Sequence, residues 1–471
     1  MLRTVKTEAD IERLAQERIA EIRAAVPTLD IKGTTYYVSG NGNDANDGLS
    51  EATAWRTPER VTAENENLKA GDAVLFRCGD IFRGTMRMIS GVTYSSYGTG
   101  KKPEIWGSPR NYAECAWFEA EQENVYYIEI TDCDRDVGNI IFNFGEAFGY
   151  KQHVSRMNLQ MDLDYCHVYE ENRVYLYSDK GNPAERFVDI EFAYCRAIFA
   201  GGATNTTVDN ICFKYTGDHG IATGSIFYNP DEDWKPYFRG LKNFTVRNCE
   251  FGWIGGGGRR KETTERLGNA IEIWGGCDGF VVDNCYCYQV FDAALTFQYK
   301  GIIFGDKPVV SQNVRFSNNV IEDCVYSIEY FNEEYDKSEF PKLKSMDQSN
   351  SKFDIRNTVF EDNILRRAGY GFGIQRSNRN TPAHIKCWRH ANLSSEGFVI
   401  RNNIFDRAEY RLVEKIADKE EFIAKFEGNT YCQHLGKPWI TYMDKESLFL
   451  DLNNLEKGFA EPDAKVIVAR R

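Results

Sequence analysis

Two glutamates, Glu272 and Glu329, have the side-chain type and spacing that acid–base chemistry on a sugar requires. Each lies in a short segment in which apolar and polar residues alternate, the pattern of a strand with one buried face. Aligning the segments places one strand, which contains Thr296, between the two glutamates. Stacked strands are about 4.8 Å apart, so the glutamates would lie roughly 9.6 Å apart. Inverting hydrolysis of a glycosidic bond needs an acid and a base about 6.5–9.5 Å apart, with a water between them. The pair lies at the upper limit of that window, and a lean of the side chains can bring it inside.

Asp292 and the side chains around the two glutamates suit the cleavage and binding of a sugar. Asp292 precedes the Thr296 strand and can assist or replace one of the glutamates. An indole such as that of Trp274 can support the apolar face of a sugar ring, while amides and charged groups bind its hydroxyls. For a single outward glutamate the alternative is a solvated charge, and for Trp274 it is packing against a loop. A turn alone explains Asp292, Asp218 and His219. The candidate substrate-binding residues are Trp274, Gln298, Asp218, His219, Phe331, Gln375, Lys300 and Arg376.

Six segments form the predicted wall that holds these side chains. Their alternation gives inward and outward columns of residues. The segments are 220–224, 269–274, 293–298, 327–331, 371–375 and 411–415. The predicted inward column is Ile221, Ile271, Leu295, Ile328, Phe372 and Leu412. The predicted outward columns are Ala222, Glu272, Thr296, Glu329, Gly373 and Val413, and then Trp274, Gln298, Phe331 and Gln375.

A second repeat places asparagine or aspartate before a turn, at Asn210, Asn248, Asn284, Asn318, Asp362 and Asn402. The next column contains Asn319, Asn363, Asn403 and Asn429. Asparagine tolerates the left-handed backbone of a bend, and its amide can bond from one strand to the next. We therefore predict that these asparagines are structural. The residues left over between repeats form loops at 255–268, 299–311, 332–352 and 376–396, which we expect to surround the glutamates.

The segment 35–108 has a distinctive set of motifs. It contains Tyr36-Tyr-Val-Ser-x-x-Gly-Asn-Asp-x-Asn-Asp-Gly-Leu-Ser50, then Ala54-Trp-Arg-Thr57, Ala70-Gly-Asp-x-Val-Leu-Phe76 and Lys102-Pro-x-Ile-x-Gly107. This set resembles the opening of pectate-lyase-like right-handed parallel β-helix proteins. The resemblance implies that a coil starts here, and it implies a family dominated by carbohydrate-active enzymes.

The sequence predicts an all-β protein, a right-handed parallel β-helix with an N-terminal capping α-helix and an antiparallel β insertion. Apolar residues at helical spacing between Ile11 and Val26 predict the helix, which we expect to cover the open end of the coil. Short strands joined by turns predict the insertion. The predicted units are 1–34, the helical cap; 35–111, the first coils; 112–204, the antiparallel insertion; 205–435, the main β-helix with the site loops; and 436–471, a C-terminal cap or tail.

Composition limits the partners. A net charge of −13 and the lack of a basic stripe argue against nucleic acid, and no apolar run is long enough to suggest a membrane partner. The 13 cysteines include no pair with zinc-binding spacing, and Cys212, Cys249, Cys285 and Cys287 fit strand patterns as small buried apolar residues. Free thiols and a charged N-terminal stretch, without the apolar core of a signal peptide, predict a cytoplasmic protein. The oligomeric state stays open.

We expect no cofactor and no metal. Asp44, Asn46 and Asp47 could offer oxygen ligands to Ca²⁺, but a turn stabilised by their side chains, without an ion, explains them more simply.

The predicted function is that of a glycoside hydrolase acting on an oligo- or polysaccharide. A polysaccharide lyase or uronate epimerase is the alternative that the resemblance also allows. Its base would come from the loop residues Lys300, Arg376, Arg379, His384 or Lys386. A non-catalytic carbohydrate-binding coil would not need two carboxylates at this separation. The sugar, its linkage, endo or exo action, and the division of acid and base roles stay open.

Overall fold

The computed structural model describes residues 5–152, 158–201, 204–223, 241–258, 265–274, 276–301, 309–334, 353–377, 381–387, 393–416, 423–442, 445–448, 461 and 463–470. Three long sheets wind these residues into a right-handed parallel β-helix. In the main coil, each turn contributes one strand to each sheet in succession. The predicted fold class is confirmed.

The first sheet has ten strands, and all of its pairings are parallel. They are Thr35–Val38, Ala73–Arg77, Thr93–Tyr97, Thr206–Asp209, Leu241–Arg247, Cys277–Asp283, Val309–Ser317, Phe353–Glu361, Leu393–Arg401 and Lys425–Glu427. This sheet forms one long side of the coil.

The second sheet has thirteen strands, and it is parallel except around Val137–Phe142, which pairs antiparallel with two neighbours. Its strands are Ile81–Arg83, Glu104–Trp106, Val137–Phe142, Ala147–Phe148, Ile190–Tyr194, Cys212–Thr216, Glu250–Ile254, Tyr286–Val290, Val320–Glu322, Ile364–Ala368, Ile404–Ala408, Thr430–His434 and Lys465–Ala469.

The third sheet holds the candidate site and has ten strands, parallel except for its last pair. They are Met86–Met88, Phe199–Gly201, Ile221–Thr223, Ile271–Trp274, Ala293–Gly301, Tyr326–Glu334, Ala383–Cys387, Val413–Lys415, Pro438–Tyr442 and Lys445–Leu448. A separate two-stranded antiparallel pair joins Gly257–Gly258 to Arg266–Leu267.

The apolar core fills the inside of the coil, because alternate side chains of each strand point inward. Phe316 and Phe360 of the first sheet stack with their ring centroids 5.0 Å apart, and Ile321 and Leu295 join them from the other two sheets. All 13 cysteines are free thiols. The four predicted to be buried, Cys212, Cys249, Cys285 and Cys287, are buried.

The predicted N-terminal helix spans Glu8–Ala24 and packs on the second sheet. Ile11 and Ile19 contact a row of sheet residues that includes Val320. Val320 alternates with the core residue Ile321, so this row faces away from the coil interior. The helix therefore covers the flank of the coil. We had expected it to cover the open end.

Two shorter α-helices, Pro58–Ala63 and Pro183–Arg186, begin at proline, whose fixed φ suits a first helical position. Among the helices of the described ranges, none is both long and apolar enough to cross a bilayer. Short 3₁₀ helices span Glu51–Thr53, Tyr112–Glu114, Asn143–Gly145, Tyr169–Glu171 and Phe372–Gln375.

The insertion forms a five-stranded sheet, mostly antiparallel, against the coil. The ammonium group of its Lys151 is buried against the Asp136 carboxylate, which also accepts the backbone N–H of Gly258 at 2.8 Å. Its strands are Phe118–Glu119, Val125–Glu129, Tyr150–Lys151, Asp164–Val168 and Arg173–Tyr177. Two strands that lie within the predicted insertion 112–204, Val137–Phe142 and Ile190–Tyr194, instead belong to the second sheet of the coil.

Asparagines link successive turns of the coil as predicted. The six residues before the turns, from Asn210 to Asn402, all have a left-handed backbone with φ between 54° and 60°. In the neighbouring column, the Asn319 amide donates to Asn363 at 2.9 Å, and Asn363 donates to Asn403 at 2.9 Å. These buried amides satisfy one another along the axis of the coil.

The segment 371–375 is not a strand of the third sheet, although its alternation predicts one. Gly371 has a φ of +78°, a conformation that favours glycine, and it opens the 3₁₀ helix Phe372–Gln375. The Phe372 ring packs 5.6 Å from that of Trp253, in an apolar cluster separate from the coil core. The predicted inward position of Phe372 and the outward position of Gly373 are therefore wrong.

Candidate active site

Glu272 and Glu329 lie in one outward column of the third sheet, as predicted. Glu272 pairs with Thr296, and Thr296 pairs with Glu329 in the parallel ladder. Two ladder steps separate the glutamates, which is roughly 9.6 Å between their strands. Their neighbours Ile271 and Ile328 belong to the coil core, so the glutamates project from the outer face. Other parts of the protein cover them, because only 1% of Glu272 and 3% of Glu329 is exposed.

The column continues from Glu329 through Lys386 to Glu414. Lys386 pairs with Glu329 in the ladder. Glu414 takes the next outward position because Val413 pairs with the core residue Ile385. Val413 thus faces the core, and its predicted outward position is wrong.

His219 and Asn269 hold Glu272 with two hydrogen bonds. The Nδ1 atom of His219 accepts the backbone N–H of Asn269 at 3.0 Å, so the ring proton is on Nε2. The Nε2 atom lies 2.7 Å from Oε2 of Glu272 and donates its N–H to that oxygen. The Asn269 side-chain amide donates to the same oxygen at 3.1 Å. Asp218 lies 3.1 Å from the same Nε2. The structure therefore brings Asp218 and His219 to the predicted site.

Glu329 accepts hydrogen bonds from the strand between the two glutamates. The Gln298 amide donates to Oε2 of Glu329 at 2.9 Å, and the Thr296 hydroxyl donates to it at 3.4 Å. Gln298 also donates to the Thr296 hydroxyl at 2.9 Å. The predicted sugar-binding amide of Gln298 thus orients a carboxylate.

Asp292 forms a buried ion pair with Arg376. The Arg376 guanidinium lies 5.5 Å from the centre of the Tyr326 ring. Burial opposes the charge on Arg376, but Asp292, and then Tyr326 and Glu329, raise its pKa above the ordinary value. Asp292 and Arg376 therefore lie within electrostatic reach of Glu329, with the charge of Asp292 already balanced.

A second buried ion-pair group lies farther along the column, and the sequence did not predict it. The Lys386 ammonium group lies 2.8 Å from Glu414, and Arg411 lies 3.2 Å from the same carboxylate. Lys386 also donates to the Thr381 hydroxyl at 3.1 Å. Two cations thus contact one buried carboxylate at this end of the column.

Trp274 and Phe331 occupy the second outward column with Gln298, as predicted, because Gln298 pairs with both. Trp274 is partly buried. The side chains of Phe331 and Lys300 lie outside the described residues, and so does all of Arg379. The sugar-binding roles of these residues stay predictions.

Gln375 lies apart from the predicted column and joins the insertion to the coil. Its amide donates to the backbone carbonyl of Gly149 at 3.0 Å, and its side-chain oxygen accepts the backbone N–H of Lys151 at 2.9 Å. The predicted column position of Gln375 is therefore wrong. Because Arg376 follows it, this anchor also helps to fix the Asp292–Arg376 pair.

His384, one of the candidate bases of the alternative lyase, is fully buried. Its Nδ1 lies 2.9 Å from the Ser327 hydroxyl, and its Nε2 lies 3.2 Å from the backbone carbonyl of Asp406. Burial lowers the pKa of His384 to about 4. These contacts assign it a structural role.

The turn proposed as a calcium site is held by its own hydrogen bonds. Asp44 accepts the backbone N–H groups of Arg56 at 2.7 Å and Thr57 at 3.0 Å, and Asp47 accepts that of Leu49 at 3.0 Å. In the described part of the chain, no group of three or more His, Cys, Asp or Glu side chains could hold a metal ion. The expectation that this turn binds no ion stays a prediction.

Comparison with known proteins supports the fold. No family model and no curated protein matches this sequence. The structure is similar to that of XylC in complex with xylose, at 12% identity and a TM-score of 0.50, over 88% of this chain and 73% of that one. It is also similar to a GH136 lacto-N-biosidase from Eubacterium ramulus, at 13% identity and a TM-score of 0.41, over 98% and 70% of the two chains.

A polygalacturonase from Erwinia carotovora ssp. carotovora is similar over 95% of this chain and 98% of its own, at 10% identity and a TM-score of 0.29. At such identities the likenesses concern the fold. The resemblance of the 35–108 segment to right-handed parallel β-helix proteins is thereby confirmed as a resemblance of fold.

Proposed function

We propose that the protein is a glycoside hydrolase that cleaves an oligo- or polysaccharide with inversion at the anomeric carbon. Glu272 and Glu329 act as its acid and base. The observation that supports this most directly is their shared outward column, in which only Thr296 separates them. The likeness to a protein solved with xylose agrees with a saccharide as the ligand class.

The proposed reaction is a single displacement. One glutamic acid gives its proton to the glycosidic oxygen as the bond from that oxygen to the anomeric carbon breaks. The other glutamate takes a proton from a water as the water oxygen bonds to the anomeric carbon from the opposite face. The products are a sugar with inverted configuration and a free alcohol. The strand separation of roughly 9.6 Å leaves room for the sugar and the water, and is closer to the inverting spacing than to the roughly 5–5.5 Å of retaining enzymes.

The contacts of the basic side chains favour hydrolysis over elimination. A lyase needs a basic group that can remove a proton next to a carboxylate. Arg376 and Lys386, two of the candidate bases, are bound to Asp292 and Glu414 in buried ion pairs. An elimination would also create a carbon–carbon double bond that absorbs ultraviolet light, which separates the two reactions in one assay.

The decisive experiment compares the wild type with Glu272→Gln and Glu329→Gln across a panel of oligosaccharides and aryl glycosides. Release of reducing ends is measured, and proton NMR identifies the anomer formed first. We expect each variant to lose about 10²–10⁴ of the hydrolysis rate and to keep substrate binding.

Glu361→Gln is the matched control, because Glu361 is a buried carboxylate of the first sheet that pairs with Arg401 away from the column. It should keep the wild-type rate per folded molecule. Full activity in both site variants would reject the proposal. Ultraviolet-absorbing products from a uronate-containing glycan would replace it with a lyase.

A further inference from the structure

The insertion contains a hollow of about 200 Å³ outside the glutamate column. Ile128 and Ile130 line it with buried side chains, and Phe118, which is 50% exposed, lines it as well. Pockets for drug-sized ligands measure roughly 300–1,000 Å³, so a hollow of this size suits a single small ring. The exposed phenyl group offers such a ring an apolar face to pack on.

A row of hydrogen bonds fixes the polar side of the hollow. The Tyr194 hydroxyl donates to Asp132 at 2.7 Å, and the hydroxyl of the buried Tyr112 lies 2.5 Å from that of Tyr194. Because Tyr194 gives its proton to Asp132, Tyr112 donates to Tyr194. The Arg110 guanidinium donates to the other carboxylate oxygen of Asp132 at 2.6 Å. Polar groups that are already held in place lose little freedom when a ligand binds.

Arg110 and Thr131 keep donors for a ligand. Arg110 uses Nη2 for Asp132, and its Nε and Nη1 donate to no other group of the described residues. The Thr131 hydroxyl likewise makes no hydrogen bond within the part of the chain that the structure describes. The Arg110 side chain is 55% exposed, so a ligand in the hollow can reach it.

The charges around the hollow are balanced. Arg110 is neutralised by Asp132, and Glu129 lies 2.9 Å from Arg173. An anionic ligand therefore gains no uncompensated cation from the described side chains that line the hollow. Neutral hydroxyls, in contrast, can accept from the Arg110 N–H groups and donate to the carboxylate oxygens. A phenyl face beside such groups matches the apolar face and the hydroxyls of a neutral sugar ring.

A short segment joins the hollow to the candidate active site. Three residues after Asp132, the Arg135 guanidinium lies 3.9 Å from Asp218, which itself lies 3.1 Å from Nε2 of His219. Three backbone steps span at most about 11 Å. Arg196 holds the segment from below by donating to the backbone carbonyl of Asp132 at 3.0 Å. A saccharide of a few residues could therefore extend from the candidate site to the hollow.

Resting on the hydrolase function proposed above, we propose that this hollow is a distal subsite that binds one neutral sugar residue of the substrate. The apolar face of the sugar packs on Phe118. Its hydroxyls accept from Arg110 and Thr131 and donate to the oxygens of Asp132 and Glu129. The substrate is then an oligosaccharide or polysaccharide chain with a neutral residue several units from the cleaved bond.

The first test locates the ligand on the full chain and needs no turnover. The δ1 methyl groups of Ile128 and Ile130 are labelled with carbon-13, assigned by Ile→Val substitution, and followed by NMR. The probes are xylose, glucose, galactose and N-acetylglucosamine, with galacturonate as the anionic counterpart. We expect at least one neutral sugar to shift both methyl signals, and galacturonate to shift them less. No response to any neutral sugar, or a response to galacturonate alone, would overturn the proposal.

The second test compares Phe118→Ser with Phe144→Ser in the same titration. Phe144 is the matched control, because it is 64% exposed and does not line the hollow. Phe118→Ser should raise the Kd by about two- to tenfold, and Phe144→Ser should leave it unchanged. Arg110→Lys keeps the charge beside Asp132 but loses the remaining guanidinium donors, so it should weaken binding as well. Wild-type affinity in both Phe118→Ser and Arg110→Lys would overturn the proposal.

Kinetics separate this proposal from the hydrolase proposal. If the subsite is part of the substrate path, Phe118→Ser should raise KM more for longer oligosaccharides than for aryl glycosides. If Glu272→Gln and Glu329→Gln abolish hydrolysis but Phe118→Ser changes KM equally for both substrates, the distal subsite is refuted and the hydrolase stands. If both glutamate variants are fully active while a neutral sugar still shifts the Ile128 and Ile130 signals, the hydrolase proposal fails and the hollow remains a sugar-binding site.

Discussion

Lys386 lies beside Glu329 in the parallel ladder, but its ammonium group binds Glu414 of the next strand at 2.8 Å. Arg411 binds the same carboxylate, and the Glu414 side chain is only 1% exposed. The column therefore contains a candidate catalytic carboxylate and, next to it, a buried ion-pair group. In this group the carboxylate and the two cations stabilise one another's charged forms.

Replacing Glu414 by glutamine should destabilise the protein strongly. Lys386 and Arg411 would then lose the buried carboxylate that they share, and removing one partner of a buried ion pair costs about 3–5 kcal/mol. Urea denaturation followed by circular dichroism measures the loss. Glu427→Gln is the control, because Glu427 pairs with the exposed Lys425 and should change stability by less than about 0.5 kcal/mol. Equal stability of the two variants would show that the buried group contributes nothing.

Gln298→Met should change the pH dependence of the proposed hydrolysis. The substitution removes the N–H that donates to Glu329 at 2.9 Å, and an N–H donor favours the ionised form of a carboxylate. Glu329 would then hold its proton to a higher pH, so the limb of kcat/KM that reports the titration of Glu329 should move upward, by up to about one unit.

Thr441→Val is the matched control for Gln298→Met. Thr441 follows Glu414 in the same column, and its buried hydroxyl makes no hydrogen bond with the residues that the structure describes. The variant should keep the wild-type pH profile. A downward shift of that limb in Gln298→Met would contradict the role of Glu329 in the acid–base pair.

Asn363→Ala should break the asparagine ladder. The Asn363 side chain accepts from the Asn319 amide and donates to Asn403 and to the backbone carbonyl of Phe316, all at 2.9 Å. Each buried group left without a partner costs about 1–3 kcal/mol, so we expect a total loss of at least about 3 kcal/mol in chemical denaturation. Asn67→Ala, at an exposed position, should stay within about 0.5 kcal/mol of the wild type. Comparable losses in both variants would argue against the ladder.

The sequence was most informative where a local pattern and the fold agree. The alternation around Glu272, Thr296 and Glu329 fixes the face of each side chain, because a strand that shifts by one residue would bury its charges in the core. The asparagines before each turn were equally informative, since few other residues adopt a left-handed backbone so readily. The wall and its two glutamates could therefore be predicted from the sequence alone.

The same alternation wrongly predicted a strand at 371–375, where two glycines occupy the polar positions. Glycine gives no information about which face is buried, and at Gly371 it permits the positive φ that starts a 3₁₀ helix. The true strand, Ala383–Cys387, has the stronger pattern, with Ala383, Ile385 and Cys387 all buried on one face. A comparison of both segments would have placed Lys386 next to Glu329.

The contacts of His219 and Gln375 could not be predicted from their own segments. His219 contacts Glu272, which lies 53 positions later in the sequence, and Gln375 contacts the insertion more than 200 residues earlier in the chain. Such contacts depend on how loops and the insertion pack on the coil, and one sequence contains no local pattern for that packing.

His384 should make the stability of the protein depend on pH in a defined direction. Burial lowers its pKa from 6.5 to about 4, so the folded state keeps it neutral while the unfolded chain takes up a proton. The contribution of the neutral His384 to the free energy of unfolding is complete above pH 6.5. It is lost as the pH falls from 6.5 to 4, by up to about 3 kcal/mol.

The measurement is the free energy of unfolding in urea at pH values across this range. Because other groups titrate there as well, the wild type is compared with His384→Gln, which should lose less stability on acidification, and with His434→Gln, which alters a partly exposed histidine and should follow the wild type. If His384→Gln and the wild type lose stability in parallel, His384 is not the group that resists protonation in the folded coil.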